Sequence, residues 1–182
     1  ILDTRRPLLR MQFLLSFALT WIALGSIMAV LFASVGPCYY GHLHGSDPYA
    51  PLMAYLHEAN QHIPVWALQV QEMLWQGYQS KGANGDLGIS AMPSMHVATA
   101  VLMAMMGWRV SRAAGIALSA FAVLILLGSI HLGWHYAVDG YVGAAGAALV
   151  WHLVGRMLGS QAAVSAVGMA TVPCMSKGGL TS

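Results

Sequence analysis

The chain has 182 residues, of which 58% are hydrophobic and only 8% charged, against about 25% charged in an ordinary soluble domain. That balance leaves too little polar surface to coat a water-soluble fold of this size and makes lipid the solvent. The net charge of +2 gives no nucleic-acid footprint. Two cysteines, Cys38 and Cys174, supply neither a disulfide framework nor a metal-type spacing.

A bilayer core about 30 Å thick takes roughly 20 apolar residues in helix. The chain begins at Ile1 rather than Met, as a processed or excised chain would, and the apolar run after Arg5-Arg6 is too long for a signal peptide. A first span is predicted over residues 11–34. Residues 35–92 form a long segment that does not span, broken by Pro37, Pro48, Pro51 and Pro64 and by the polar stretch at 58–62. Inside it Trp66, Val70, Met73 and Leu74 recur at helical spacing, with Trp75 and Tyr78 after them. Residues 64–78 are therefore predicted as an amphipathic helix lying in the interface, either a lid over the bundle or a guide for a lipid. Further spans are predicted over 93–108, 113–130 and 136–158. The tail, 159–182, is interrupted by Pro173 and too short to cross again. The fold class is all-α: a polytopic membrane helical bundle of four spans, one integral membrane catalytic domain over 1–182.

Basic residues set the orientation. Arg5, Arg6 and Arg10 precede the first span, Arg109 and Arg112 fill the turn between the second and third, and Arg156 and Lys177 close the chain. Alternating spans put all of these on one side, and only Lys81 on the other. The chain ends and the 109–112 turn are thus expected in the cytoplasm. The 35–92 segment, with Asp47, Glu58, Glu72 and Asp86, and the 131–135 turn are expected outside. Cys38 and Cys174 then lie on opposite sides and cannot pair.

Two constellations at the outer ends of spans carry chemistry. Pro93-Ser94-Met95-His96 opens the second span. With Pro93 in the first helical turn, free N–H groups and the helix dipole make an anion cradle. Ser94 adds a donor, and His96 could protonate a leaving oxygen. The second constellation runs from His131 to His135 and Asp139. Four residues apart, His135 and Asp139 share a helix face. The carboxylate can accept the Nδ1 proton and leave Nε2 as a nucleophile. Asp139 is the only acidic residue in a predicted span, and an intramembrane carboxylate is functional by default. The same face continues through Gly143, Gly146 and Ala147, small residues that admit a neighbouring helix. His42, His44, His57 and His62 read as interfacial, and His152 sits far from the rest.

At these residues the sequence resembles the type 2 phosphatidic acid phosphatase superfamily, over roughly residues 35–156. The superfamily's Pro-Ser-Gly-His signature appears as Pro93-Ser94-Met95-His96. Its Ser-Arg, five residues, His, three residues, Asp signature appears as Gly128-Ser129, five residues, His135, three residues, Asp139. The resemblance implies His96 as general acid, His135 as the residue that becomes a phosphohistidine, and Asp139 as its partner. It also implies that the four spans are the last four of six, with an amino-terminal pair missing. Two departures stand out. The Lys, six residues, Arg-Pro signature is missing, and Gly128-Ser129 stands where Ser-Arg is usual. Lys81 and His131 are the nominated replacements for these phosphate-binding cations.

The forms Pro93-Ser94-Met95-His96-Val97-Ala98 and His135-Tyr136-Ala137-Val138-Asp139 are most similar to the inositol-phosphorylceramide and sphingomyelin synthase branch. The implied function is cleavage or transfer of a phospho-headgroup on a membrane lipid, without metal or other cofactor, at the outer face of a cell or inner membrane. The rival readings are a haem-binding membrane helper and a non-catalytic lipid binder or scaffold.

Overall fold

A computed structural model describes residues 6–80 and 90–170, with side chains described through residue 160. No strand occurs among the described residues, and helices account for the spans as expected. The first helix, α1, runs Pro7–Leu31 and includes a π-helical stretch, Trp21–Met28. Pro7 opens it, where a missing N–H costs no bond. The helix thus starts and stops a few residues before the predicted span.

Among its described residues, the 35–92 segment folds into three helices where one is predicted: α2 (Pro37–Leu43), α3 (Ala50–His62) and α4 (Trp66–Ser80). The prolines that read as breakers are starters here, with Pro37 and Pro51 in the first two positions of α2 and α3. Then come α5 (Met95–Val110), α6 (Arg112–His131) and α7 (Ala137–Ala170). Three helical segments, Pro7–Leu31, Arg112–His131 and Ala137–Ser160, are long and apolar enough to cross a membrane. With 16 residues, α5 reaches only about 24 Å at 1.5 Å per residue. The tail expected from residue 159 begins as helix, since α7 continues to Ala170. Cys174 and Lys177 lie outside the described residues.

The centre of the bundle is α5, which packs against α6, α7 and α1, whereas α6 and α7 barely meet. Phe13 and Leu24 of α1, Ala98 and Leu102 of α5, and Ala147 and Trp151 of α7 form the buried core. The glycine face of α7 works as the spacing predicts. A Cβ on Gly146 would meet Leu24 at 2.7 Å, and one on Gly143 would sit 2.5 Å from the Ser94 carbonyl oxygen. Gln12 Nε2 adds a bond to the Trp151 carbonyl at 3.1 Å. The α5–α6 turn is tight: Ser111 caps α6 by accepting from the Ala114 N–H at 3.1 Å. The Arg6 guanidinium donates to the Arg109 carbonyl, so the basic amino end and the basic turn share one end of the bundle.

At the other end of the bundle, α2 and α4 clamp the α6–α7 loop. Cys38 N donates to the Gly133 carbonyl at 2.9 Å, and Gln71 Nε2 to the Leu132 carbonyl at 2.8 Å. Tyr39 Oη reaches the Gln71 carbonyl, and its ring stacks on Trp75 at 5.6 Å. Gly133 takes φ +72°, the left-handed turn that ends α6 and that a side chain would strain. Leu68, Gln71 and Trp75 of α4 face inward, while Trp66, Val70, Met73 and Leu74 are exposed. The predicted apolar stripe is therefore exposed, and two of its residues, Val70 and Leu74, border a cleft rather than the packed core.

Candidate active site

The chain enters α5 through a bent segment, residues 90–94, that is not helical yet is largely buried. Irregular backbone survives there only if its polar groups find protein partners. They do. Ala91 N donates to the Ser34 carbonyl at 2.7 Å, and Ser94 N to the Asp139 carbonyl at 3.0 Å. The Ala91 carbonyl accepts from the His135 ring at 2.7 Å. The segment thus ties the end of α1, the α6–α7 loop and the start of α7 together.

Pro93, predicted in the first helical turn, instead precedes Ser94, the N-cap residue of α5. The free N–H groups at this helix end are those after Ser94. Ser94 is fully buried, and its hydroxyl has no hydrogen-bond partner among the described residues. A buried hydroxyl without a partner is rare and calls for a ligand, water or ion.

Two turns converge on this point. His96 lies in the first turn of α5, and its ring centroid is 5.7 Å from that of His135 in the loop before α7. His135 is 8% exposed and Asp139 1% exposed, while His96 is open to the outside. A carbonyl can only accept, so the 2.7 Å contact between His135 Nδ1 and the Ala91 oxygen puts the proton on Nδ1. Burial pushes the His135 pKa below its usual value, and nearby His96 pushes the same way, against the Ala91 bond and Asp139. The neutral ring then keeps its lone pair on Nε2.

The sequence assigns the Nδ1 proton to Asp139, and the geometry differs. Asp139 Oδ2 is 3.9 Å from Nδ1 and instead accepts from the Tyr136 N–H at 2.8 Å. That is the reciprocal half of a capping box, with an acidic side chain on the N-cap N–H and negative charge at a helix start. Asp139 remains beside the ring, and its hydrogen-bond partner is backbone. Ala91, whose carbonyl does the orienting, carries no signal in its own sequence.

His131 is exposed and packs its ring against Tyr55, with centroids 5.9 Å apart. Lys81 lies outside the described residues. Ser129 turns its hydroxyl back onto the Leu126 carbonyl at 2.9 Å, so it offers no free donor. Cys38 is buried and its pKa is pushed up to about 12, which keeps the thiol protonated. No group of three His, Cys, Asp or Glu side chains able to hold a metal ion occurs among the described residues.

Beside His96 a cleft of about 460 Å³ opens between α4, α5 and α6. Val70, Leu74, Leu124, Ile125, Leu132 and Trp134 make its walls almost wholly apolar. Gly128 and Ser129, the positions that depart from the signature, line it as well.

Searches of curated proteins and of solved structures give no match to the chain. A sequence model of the PAP2 superfamily matches residues 1–153. The match takes in α1, which the motif resemblance left out, together with the 90–96 segment and the 131–139 turn. The chain belongs to the PAP2 superfamily.

Proposed function

We propose that this integral membrane protein cleaves or transfers the phospho-headgroup of a membrane lipid through a phosphohistidine on His135. The observation that carries the reading is the pairing of two imidazoles 5.7 Å apart, one of them held neutral at Nε2 by the Ala91 carbonyl. Nε2 attacks phosphorus, an N–P bond forms, and the P–O ester bond breaks with its electron pair on the leaving oxygen. His96, as imidazolium, gives that oxygen its proton. Water or a lipid alcohol then attacks phosphorus, the N–P bond breaks, and His96 takes the attacking group's proton.

The first-turn N–H groups of α5 and the unpartnered Ser94 hydroxyl supply donors for the equatorial oxygens. Asp139 stabilises the positive charge that develops on His135, from a distance set by the 3.9 Å contact. Lys81 remains the nominated cation for the phosphate. The positive-inside rule puts the Arg6–Arg109 end in the cytoplasm and the histidines at the outer face.

The motif forms at 93–98 and 135–139 favour transfer to a lipid alcohol, as in the inositol-phosphorylceramide and sphingomyelin synthase branch. Haem binding and passive lipid binding are weaker readings, because neither uses a buried carboxylate beside a neutral, oriented imidazole. Headgroup-labelled phospholipids, incubated with and without diacylglycerol or ceramide, test the reading. Free phosphate marks hydrolysis, and an acceptor-dependent new lipid marks transfer. Normal turnover by His135→Ala protein overturns it.

A further inference from the structure

Phosphate chemistry needs only the histidine end of the site, yet the structure continues from His96 into the apolar cleft. We propose that this cleft binds one hydrocarbon chain of the reacting lipid and thereby selects long-chain substrates. The inference rests on the lipid-phosphate reading above and adds where the rest of the molecule lies.

Four observations carry it. His96 lines the cleft and also pairs with His135, so a chain lodged there is continuous with the reacting centre. At about 460 Å³ the cleft is the size of a small-molecule site. Its occupant comes from the bilayer. Leu124 lines the cleft yet is 66% exposed on α6, a helix of spanning length, so the cleft opens sideways toward acyl chains. On the far wall, Val70 and Leu74 belong to the outward stripe of α4, which is pinned to the α6–α7 loop through Gln71. That makes α4 a fixed wall of the cleft.

Gly128 keeps the cleft open. A Cβ built there meets nothing within 4 Å, although neighbouring Ser129 is buried. A side chain at 128 therefore begins in open space on the cleft's lining. Excluding even two methylenes from a dry site lowers binding by roughly tenfold.

The test compares Gly128→Phe with Leu127→Phe, whose side chain faces lipid on the same helix. Each protein is assayed on a long-chain lipid phosphate and on its dibutyryl analogue, and each is photolabelled with a phospholipid carrying a diazirine near the chain terminus. Gly128→Phe is expected to lower the long-chain to short-chain ratio of kcat/KM by about tenfold or more. Adducts on the peptides containing residues 70–74 and 124–134 are expected to fall with it. Leu127→Phe should leave both readouts as in the parent. An unchanged ratio with unchanged adducts overturns the chain site while leaving the phosphate chemistry intact. Photolabelling needs no turnover, so adducts in the cleft that disappear in Gly128→Phe support the chain site even where no phosphate ester is turned over.

Discussion

His135 donates from Nδ1 to the carbonyl oxygen of Ala91, 44 residues earlier in the chain, at 2.7 Å. This one bond fixes the tautomer of a buried imidazole, and it depends on the non-helical 90–94 segment being held against the bundle. The segment is anchored at Ala91 by Ser34 and at Ser94 by Asp139. The tautomer of the ring is thus a consequence of how the backbone groups of residues 90–94 are satisfied.

The two histidines should separate by leaving group. On a lipid phosphate, His96→Ala is expected to lose about 10²–10⁴ in kcat/KM, the parameter that ends with transfer to His135 and so reads the acid role alone. With 4-nitrophenyl phosphate, whose leaving oxygen needs no proton, most of that loss should vanish. His135→Ala should stay inactive on both substrates. Steady-state rates on the pair of substrates check this, and an equal loss for His96→Ala on both removes it from the acid role.

The pH profile should follow the neutral form of His135. Its pKa lies below the ordinary 6.5 because burial disfavours the imidazolium. The rising limb of activity should therefore be centred below pH 6.5. The unfolded chain binds the proton more readily, so stability should fall as pH drops from about 6.5 through the folded pKa. His135→Asn should flatten that part of the stability curve. A rising limb of kcat/KM centred above 6.5 contradicts the burial argument.

Asp139 combines a cap and a charge, and two substitutions pull them apart. Asp139→Asn keeps an acceptor for the Tyr136 N–H and should unfold within about 1 kcal/mol of the parent. It removes the charge beside His135, so kcat should fall at least about 100-fold. Asp139→Ala should lose the cap as well, at a further cost of about 1 kcal/mol. Thermal unfolding in detergent together with kcat resolves the two contributions; full activity in Asp139→Asn reduces the residue to a cap.

Gly143 should prove intolerant. Its missing Cβ admits the Ser94 carbonyl at a distance no side chain permits, 2.5 Å. Gly143→Ala should cost about 1–3 kcal/mol through displacement of backbone. It should also reduce activity by loosening the Ser94–Asp139 bond. A stable, fully active Gly143→Ala protein shows that α7 and the 90–94 segment can separate without consequence.

The parts of this architecture visible in the sequence are those written in local pattern. Apolar runs give the three long spans, and the stripe at Trp66, Val70, Met73 and Leu74 gives α4. The small face through Gly143 and Gly146 points to the side of α7 that packs. Helices α2 and α3 stay hidden because Pro37 and Pro51 signal a break and a helix start alike, and only context separates the two. The His135–Asp139 spacing is compatible with a direct bond, but the nearer partner is a backbone carbonyl from a distant segment. Carbonyls have no sequence signature. The cleft is hidden for a related reason, since it is bounded by four stretches of chain that meet only in the folded bundle.

The most direct test of the central claim is capture of the covalent intermediate. Protein mixed with a phosphorus-labelled lipid, quenched within milliseconds in alkali and digested, should carry label on the peptide containing His135. That label should survive base, be lost in acid as an N–P bond is, and be missing from His135→Ala protein. Label on another residue, or steady turnover by a variant with no imidazole at 135, contradicts the mechanism.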